Sequence, residues 1–392
     1  MKSEIISRTC IKPSSPTPPD LRTFKLSLLD QLSPAIHGNM TFFFPSAVFD
    51  VAVADPDSEF ARKSQLLQKS ISETLTRFYP LAGSLVDAAT IDCNDDGGFF
   101  VEARCSSPLS DFLSKPNWET LDLLLPTMDP ETMEFVSLTH KIADIAGLLT
   151  LLKSWIEACR GSTEPVVPDF IGASILAPRE IPGMSGSLNI AGEKFIARRF
   201  MFSAPKIVEL KEKVTSMIGR EKYYPSRVEV VLALLWKSAV SVIKSKTGTF
   251  KPTALFQAEE SDMEIHQLAE GMWKSKNEFL NNKANKFKGE GGFPAIIEAL
   301  KERGEIFKNR KDLVMYKCSR WCKFPLFETD FGWGKPAWMT SVKKLVSNTI
   351  SLMDTSSGGV EALVTLDEEE MTLFERHEEL LEFASVNPSI VD

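Results

Sequence analysis

Several stretches of the chain repeat apolar residues at helical spacing, and the longest of them is in its first third. Ser58 to Phe78 is predicted as a long helix that stops before Tyr79-Pro80, because the residue ahead of a proline leaves the α region. Another amphipathic helix is predicted to start at Ile145 and to run through Trp155 and Ile156. Further helices are predicted in the second half of the chain at Ala204–Met217, Ser226–Lys244 and Asp367–Ala384.

Strand-like alternation occurs between these helices. Ile5 to Ile11 is predicted as an edge strand, and Val86 to Val101 as two short strands around the turn at Cys93 to Gly98. Lys194 to Phe202 and Val360 to Leu366 are predicted as strands of the second half. Strands and helices mixed along the whole chain predict an α/β fold.

A stretch rich in Pro and Gly, from Gly161 to Gly192, separates the two halves and sustains no helical period. It is predicted to be a long crossover loop, residues 161–192, between two domains of similar size. The predicted domains are residues 1–160 and residues 193–392.

Composition narrows the class of protein. With 43% apolar and 25% charged residues in 392, the chain is typical of a globular protein. A net charge of −8 with scattered Lys and Arg argues against a nucleic-acid partner. No apolar run is long enough for a bilayer and no signal peptide is recognisable, so a cytoplasmic protein without membrane contact is expected. The six cysteines show no paired zinc-ligand spacing, so free thiols and no metal are expected.

Candidate chemistry begins at His140, one of only four histidines, which is followed four residues later by Asp144. Because the predicted helix starts at Ile145, His140 is expected in a loop at the mouth of that helix. Histidine is the side chain best suited to take a proton near neutral pH. The other histidines (His37, His266 and His377) are in polar or turn settings and are expected at the surface.

A second distinctive stretch is Asp330-Phe331-Gly332-Trp333-Gly334, which is closed by Lys335-Pro336. Two glycines around a tryptophan, followed by Lys-Pro, predict a tight loop and not the interior of a helix or strand.

Together these stretches resemble the signature motifs of the plant BAHD acyltransferases, and the landmarks occur in the order expected for that family. The chain is most similar to the subgroup that contains vinorine synthase and other alkaloid or terpenoid acetyltransferases. The landmarks are His140–Asp144, Asp330–Gly334, Phe78–Gly83 and the opening segment Lys12–Pro18 with Leu28–Leu32.

The resemblance implies two chloramphenicol-acetyltransferase-like domains with mixed sheets and an active site in a channel between them. It implies an acyl-CoA-dependent O-acyltransferase, expected to transfer acetyl from acetyl-CoA to a hydroxyl of an alkaloid or terpenoid. The acyl-CoA is a co-substrate, so no permanently bound cofactor is expected, and no residue that binds it is assigned. A monomer whose partners are the acyl-CoA and a small alcohol is expected.

The resemblance also implies roles for single residues. His140 would be the general base, and Asp144 would fix its loop through a salt bridge. Asp330 would brace the tight loop that contains Gly332 and Gly334. The indole N–H of Trp333 is a candidate hydrogen-bond donor to an oxyanion. Packing is the favoured role, however, because buried tryptophans usually form part of a hydrophobic core.

The chain departs from the family pattern at two places. An apolar strand and a Cys-Gly-Gly turn are missing before Phe135–Leu138, and an Asn-Leu-Arg segment and a Gly-Asn element are missing after Gln257. The arginine expected to pair with a motif aspartate is therefore absent, and Arg320 or Lys335 are the candidates to replace it. The alternative hypothesis is a shortened, catalytically silent relative that acts as a binding or regulatory protein.

Overall fold

The structure is a computed structural model that describes residues 3–33, 37–44, 55–117, 121, 136–180, 195–218, 223–249, 251–255, 258–260, 264–287, 291–310, 312–341 and 348–390. The chain forms two compact units. The first comprises Met1–Asn189, Phe324–Lys343 and Ile390–Asp392, and the second comprises Ile190–Lys323 and Lys344–Ser389.

Strands and helices are mixed along the whole chain, as predicted for an α/β fold. The strands are β1 (Ser3–Ile11), β2 (Thr23–Lys25), β3 (His37–Phe43), β4 (Ser84–Leu85), β5 (Thr90–Asp92), β6 (Gly98–Cys105), β7 (Val136–Thr139), β8 (Phe195–Phe202), β9 (Thr253–Leu255), β10 (Ala258–Glu260), β11 (Val314–Arg320), β12 (Trp338–Ser341), β13 (Thr349–Asp354), β14 (Val360–Asp367) and β15 (Ser385–Val386). The α-helices are α1 (Leu28–Leu32), α2 (Pro56–Arg77), α3 (Leu109–Ser114), α4 (Ile145–Cys159), α5 (Gly172–Ile175), α6 (Ala204–Ile218), α7 (Arg227–Thr247), α8 (Ile265–Glu278), α9 (Gly292–Asn309), α10 (Glu368–Phe374) and α11 (Glu378–Phe383).

The first unit has three small antiparallel sheets within its described residues: β1-β6, β2-β5-β4 and β12-β3-β7. The two strands predicted around the turn at Cys93–Gly98 exist, but they join different sheets and form no hairpin. The turn is held from outside, because Asp95 accepts the Thr17 N–H at 3.0 Å and forms an ion pair with Arg22 at 3.1 Å. The turn is therefore fixed to the segment that precedes β2.

Helices α2 and α4 form the helical layer of this unit and pack against each other. Asp55 caps the start of α2 by accepting the Asp57 and Ser58 N–H groups, and Pro56 occupies the first turn, where its missing N–H costs nothing. Helix α4 buries Leu148, Leu151 and Leu152. Helix α2 starts and ends within two residues of the predicted positions. Helix α4 starts at Ile145 as predicted and continues three residues beyond Ile156.

The second unit is built on one seven-stranded mixed sheet in the order β10-β9-β11-β13-β14-β8-β15. β11 is parallel to β9 and to β13, whereas the remaining pairs are antiparallel. Helix α7 is apolar on nearly all sides, and its Trp236 is fully buried with the indole N–H bonded to the Thr253 hydroxyl at 3.0 Å. This helix and the sheet supply most of the core of the unit.

Two features differ from the predicted organisation. The predicted closing helix Asp367–Ala384 is two short helices: α10 ends at Phe374 with Glu375 as its C-cap, and His377 caps the start of α11. Segment Phe324–Lys343, which contains Asp330, groups with the first unit instead of the second half of the chain. The cause is β12, which pairs with β3 through Trp338 opposite Phe43.

Gly83, the last residue of the Phe78–Gly83 landmark, is in a place without room for a side chain. A Cβ there would lie 2.5 Å from the Asp92 carbonyl oxygen and 2.9 Å from the Ile91 Cγ2. We expect Gly83→Ala to lower the free energy of unfolding by about 1–3 kcal/mol, since the contact is with backbone. Denaturant titration measures this, and Gly98→Ala, with nothing within 4 Å of its Cβ, is the control. Equal midpoints for the two variants would refute the prediction.

His377 is half-buried and structural, in contrast to the surface position expected for it. Its Nδ1 accepts the Leu380 N–H at 3.4 Å and is 3.2 Å from the Ser238 hydroxyl. Burial lowers the pKa of His377; Glu379 and Glu378 oppose this effect, and Lys237 adds to it. Between the ordinary pKa, about 6.5, and the lowered one, the unfolded chain binds more protons than the folded protein does.

The unfolding free energy is therefore expected to fall as the pH drops below about 6.5, and to level off below the lowered pKa. His377→Asn keeps an acceptor for the helix cap but does not titrate, so its curve should be flatter over that range. His377→Ala loses the cap and should cost about 1 kcal/mol at pH 7. Equilibrium unfolding at a series of pH values compares the three proteins, and identical slopes for wild type and His377→Asn would contradict the assignment.

Candidate active site

His140 is in the turn between β7 and α4, as the pattern predicted. Strand β7 ends at Thr139, whose carbonyl accepts the Ile142 N–H at 2.9 Å and the Ala143 N–H at 3.3 Å. The His140 side chain is exposed, and none of the described residues makes a hydrogen bond with its ring. An imidazole in this position is open to solvent and can accept a proton from a bound ligand.

Asp144 is the N-cap of α4. Its backbone is extended (φ −90°, ψ −169°), and its Oδ1 accepts the Gly147 N–H at 2.9 Å. The salt bridge that the resemblance implied for Asp144 is not among the ion pairs of the described residues. The carboxylate instead satisfies one of the free N–H groups at the helix start and so fixes the direction in which α4 leaves the His140 turn.

The Asp330 loop is closed by the Asp330 carboxylate. Oδ1 accepts the Gly332 N–H at 2.8 Å and the Gly334 N–H at 3.0 Å, and both glycines have positive φ, +112° and +100°. The Gly332 hydrogen bond is the largest cause of the lowered pKa of Asp330; burial opposes it, and the Gly334 hydrogen bond and the charge of Arg160 assist it. Glycine is needed at both positions because a side chain would strain this backbone.

The cation that pairs with Asp330 is Arg160, at 2.7 Å from Oδ2. Neither candidate named from the sequence fills this role: Lys335 pairs with Glu328 at 2.6 Å, and Arg320 ends β11 in the other unit. Arg160 directly follows α4, so the pair joins the end of this helix to the loop. No spacing rule links residues 170 positions apart, and the sequence offered no signal for this contact.

Aromatic packing attaches the loop further to α4. Phe331 is buried and meets Trp155 of α4 edge-on at 5.0 Å, while Trp333 stacks on Phe331 at 5.6 Å. The Cys159 thiol donates a hydrogen bond to the Phe331 carbonyl at 3.4 Å. Trp333 also lies under the Lys63 ammonium at 5.4 Å, which fits the packing role favoured for it.

Helix α4 separates the two motifs. It begins just after His140 and ends at the residue before Arg160, and its 15 residues span about 22 Å. The loop is thus joined to the His140 turn through the helix.

Among the described residues, no group of three His, Cys, Asp or Glu could hold a metal ion, and the six cysteines are free thiols. The helices described in the structure include none with the length and apolar character needed to cross a bilayer. Compared with the family pattern, a strand is expected to be missing before Phe135, and two further elements are expected to be missing after Gln257. These expectations concern residues 122–135, 256–257 and 261–263, which lie outside the described part of the chain.

Three pieces of the chain match the model of the Transferase family, residues 1–134, 135–261 and 260–381. The pieces meet at the two places where the sequence departs from the family pattern. Akuammiline synthase 1 of Alstonia scholaris is 33% identical over 97% of this chain and 97% of its own length. That alignment runs over 430 positions, more than the 392 residues present here, so it contains gaps on this chain's side.

Two further similarities agree with this. The epi-neemfruitin B 7-O-acetyltransferase of Melia azedarach is 32% identical over 99% of this chain and 100% of its own length. The crystal structure of vinorine synthase matches with a TM-score of 0.81 and 28% identity, covering 98% of this chain and 99% of that one. The resemblance and the α/β fold expected from the sequence are confirmed, and the chain belongs to the BAHD family of acyltransferases.

Proposed function

We propose that this protein transfers an acyl group, in the first instance acetyl, from coenzyme A to a hydroxyl of an alkaloid or terpenoid, with His140 as the general base. The names of the relatives support the substrate class, because one is an acetyltransferase of a 7-hydroxyl and another is akuammiline synthase 1. The observation that carries the proposal is the exposed imidazole of His140, with which no residue in the described part of the chain forms a hydrogen bond, in a chain that matches these enzymes over nearly its whole length.

The reaction needs only one proton carrier. An unprotonated ring nitrogen of His140 takes the proton of the acceptor hydroxyl while the oxygen forms a bond to the thioester carbonyl carbon. The tetrahedral intermediate collapses, the carbon–sulfur bond breaks, and the imidazolium returns the proton to the leaving thiolate. The products are an ester and free coenzyme A, and no acyl group is attached to the protein.

Asp144 and Asp330 serve this step indirectly in the proposal. Asp144 fixes the start of α4 beside the base, and Asp330 with Arg160 holds the loop at the other end of the same helix. Gly332 and Gly334 let the loop close, and Trp333 covers it.

A catalytically silent relative is the second candidate. It is favoured by the break of the family match near residues 134 and 260 and by the gaps in the alignment with relatives. Such a protein would bind a small molecule or coenzyme A without turning it over.

The test is release of free thiol from acetyl-CoA in the presence of a panel of alkaloid, terpenoid and phenylpropanoid alcohols. Release that depends on the acceptor, with the ester identified by mass spectrometry, is the expected result. Binding of coenzyme A is measured in parallel by calorimetry. A folded chain that binds coenzyme A but releases no thiol with any alcohol of the three classes would favour the silent relative.

A further inference from the structure

Lys141, the residue after His140, reaches a main-chain oxygen of a segment far away in sequence. Its Nζ donates to the Gln31 carbonyl at 3.2 Å. Gln31 is in the last turn of α1, where carbonyl groups have no partner inside the helix. A lysine at this end of a helix is favourable, because it satisfies such a carbonyl and complements its partial negative charge.

The side chain of Gln31 holds a third segment. Its Nε2 donates to the Arg179 carbonyl at 3.1 Å, and its Oε1 accepts the Arg179 N–H at 3.0 Å, so the amide pairs with the backbone as a neighbouring strand would. The Leu28 N–H adds a bond to the Leu176 carbonyl at 3.0 Å. Helix α1 is therefore tied both to the His140 turn and to the first part of the predicted crossover.

The helix that makes these contacts is itself well fixed. Ser27 and Asp30 form a capping box in which Asp30 Oδ2 accepts the Ser27 N–H at 2.8 Å and the Asp30 N–H is bound by the Ser27 hydroxyl at 3.2 Å. Leu28 is buried with 1% of its surface exposed. Lys141 is thus held by a rigid element, and not by a mobile surface segment.

We propose that Lys141 and Gln31 are positioning residues for His140. Only a few backbone torsions separate the two side chains Lys141 and His140, so the contact at Gln31 restricts the rotation of the turn and the direction of the imidazole. Without it, the turn keeps the two hydrogen bonds to the Thr139 carbonyl but loses its connection to α1. For its kinetic part the proposal rests on the proposed function.

The kinetic test compares Lys141→Met with Lys141→Arg and with Lys153→Met, an exposed lysine on α4. We expect Lys141→Met to lower kcat about tenfold, because small misplacements of a catalytic group are costly, while KM for acetyl-CoA changes by less than about twofold. Lys141→Arg, which keeps a donor, should retain most of kcat, and Lys153→Met should equal wild type. An unchanged kcat in Lys141→Met would overturn the proposal.

Gln31 is tested in combination with Lys141. Gln31→Ala removes the bonds to Arg179 but leaves the carbonyl that Lys141 uses. A reduced kcat is expected for Gln31→Ala. The fold-loss of kcat in the variant that carries both Gln31→Ala and Lys141→Met should be smaller than the product of the two single losses, because both substitutions loosen the same connection between α1 and the His140 turn. If the two fold-losses of kcat multiply in the double variant, Gln31 and Lys141 act independently, and the role of Gln31 in positioning His140 through Lys141 is overturned.

Hydrogen exchange supplies a readout that needs no turnover. In Lys141→Met, the amides of the turn, Ile142 and Ala143, should exchange faster than in wild type and in Lys153→Met. Faster exchange in a protein that shows no thiol release would mean that the proposed function failed while the positioning contact stands. Unchanged exchange would overturn the positioning role whatever the activity.

Discussion

His140→Ala is expected to lower kcat by about 10²–10⁴-fold, the usual contribution of a general base. The free energy of unfolding should stay within about 0.5 kcal/mol of wild type, because the side chain is exposed and none of the described residues bonds to its ring. Thus the variant should separate chemistry from folding more cleanly than any other change in the site.

The measurement is acceptor-dependent thiol release, together with denaturant unfolding and calorimetric binding of coenzyme A. His140→Gln, which keeps polarity but removes the base, should be as inactive as His140→Ala. Lys153→Met is a matched control for a surface change on α4. Retention of more than about a tenth of the wild-type kcat in His140→Ala would exclude His140 as the base.

Asp330→Ala is expected to lower the free energy of unfolding by about 2–4 kcal/mol. The change removes an acceptor shared by the Gly332 and Gly334 N–H groups, and a hydrogen bond to a charged group contributes about 1.5–3 kcal/mol. The ion pair with Arg160 adds less than about 1 kcal/mol, since the arginine side chain is 52% exposed. Loss of the loop also uncovers Phe331, which packs on Trp155.

Three variants test how this stabilisation is divided between the hydrogen bonds of Asp330 and its ion pair with Arg160. Asp330→Asn keeps an acceptor oxygen and should lose less than Asp330→Ala, and Arg160→Met should lose least. The pKa of Asp330 is lowered in the folded protein, so its stabilising contribution is present above the ordinary pKa, about 3.9, and disappears as the pH falls through the lowered value. If Arg160→Met proves as costly as Asp330→Ala, the ion pair dominates and the hydrogen-bond account is wrong.

Local patterns predicted the helices well because their causes are local. Helix α2 has its cap and its stop in neighbouring residues, Asp55 and Tyr79-Pro80, and α4 has its cap at Asp144. The closing helix was predicted too long because its apolar period continues across His377. The His377 side chain caps a new helix there by accepting the Leu380 N–H, and its contact with Ser238 is a tertiary one that periodicity does not show.

Strand partners could not be predicted in the same way. Periodicity locates β5 and β6 but not their partners. β5 pairs with β2 and β4, and β6 pairs with β1, all of which come from other positions of the chain. Likewise, the site motifs indicated where His140 and the tight loop lie, whereas Arg160 and Gln31 emerged only from the fold. Contacts across 170 and 110 residues depend on the packing of α4 and α1, which no local spacing encodes.

The pairing of β12 with β3 bears on how this protein can be recombined with its relatives. A chimera joined once, between residues 161 and 192, would take β3 from one parent and β12 from the other, and would thereby divide the stack of Phe43 and Trp338, whose rings are 5.0 Å apart. It would also separate Asp330 from Arg160. An exchange of the first unit between relatives therefore calls for two splices that move Phe324–Lys343 together with the N-terminal residues, so that the exchanged unit is discontinuous in the gene.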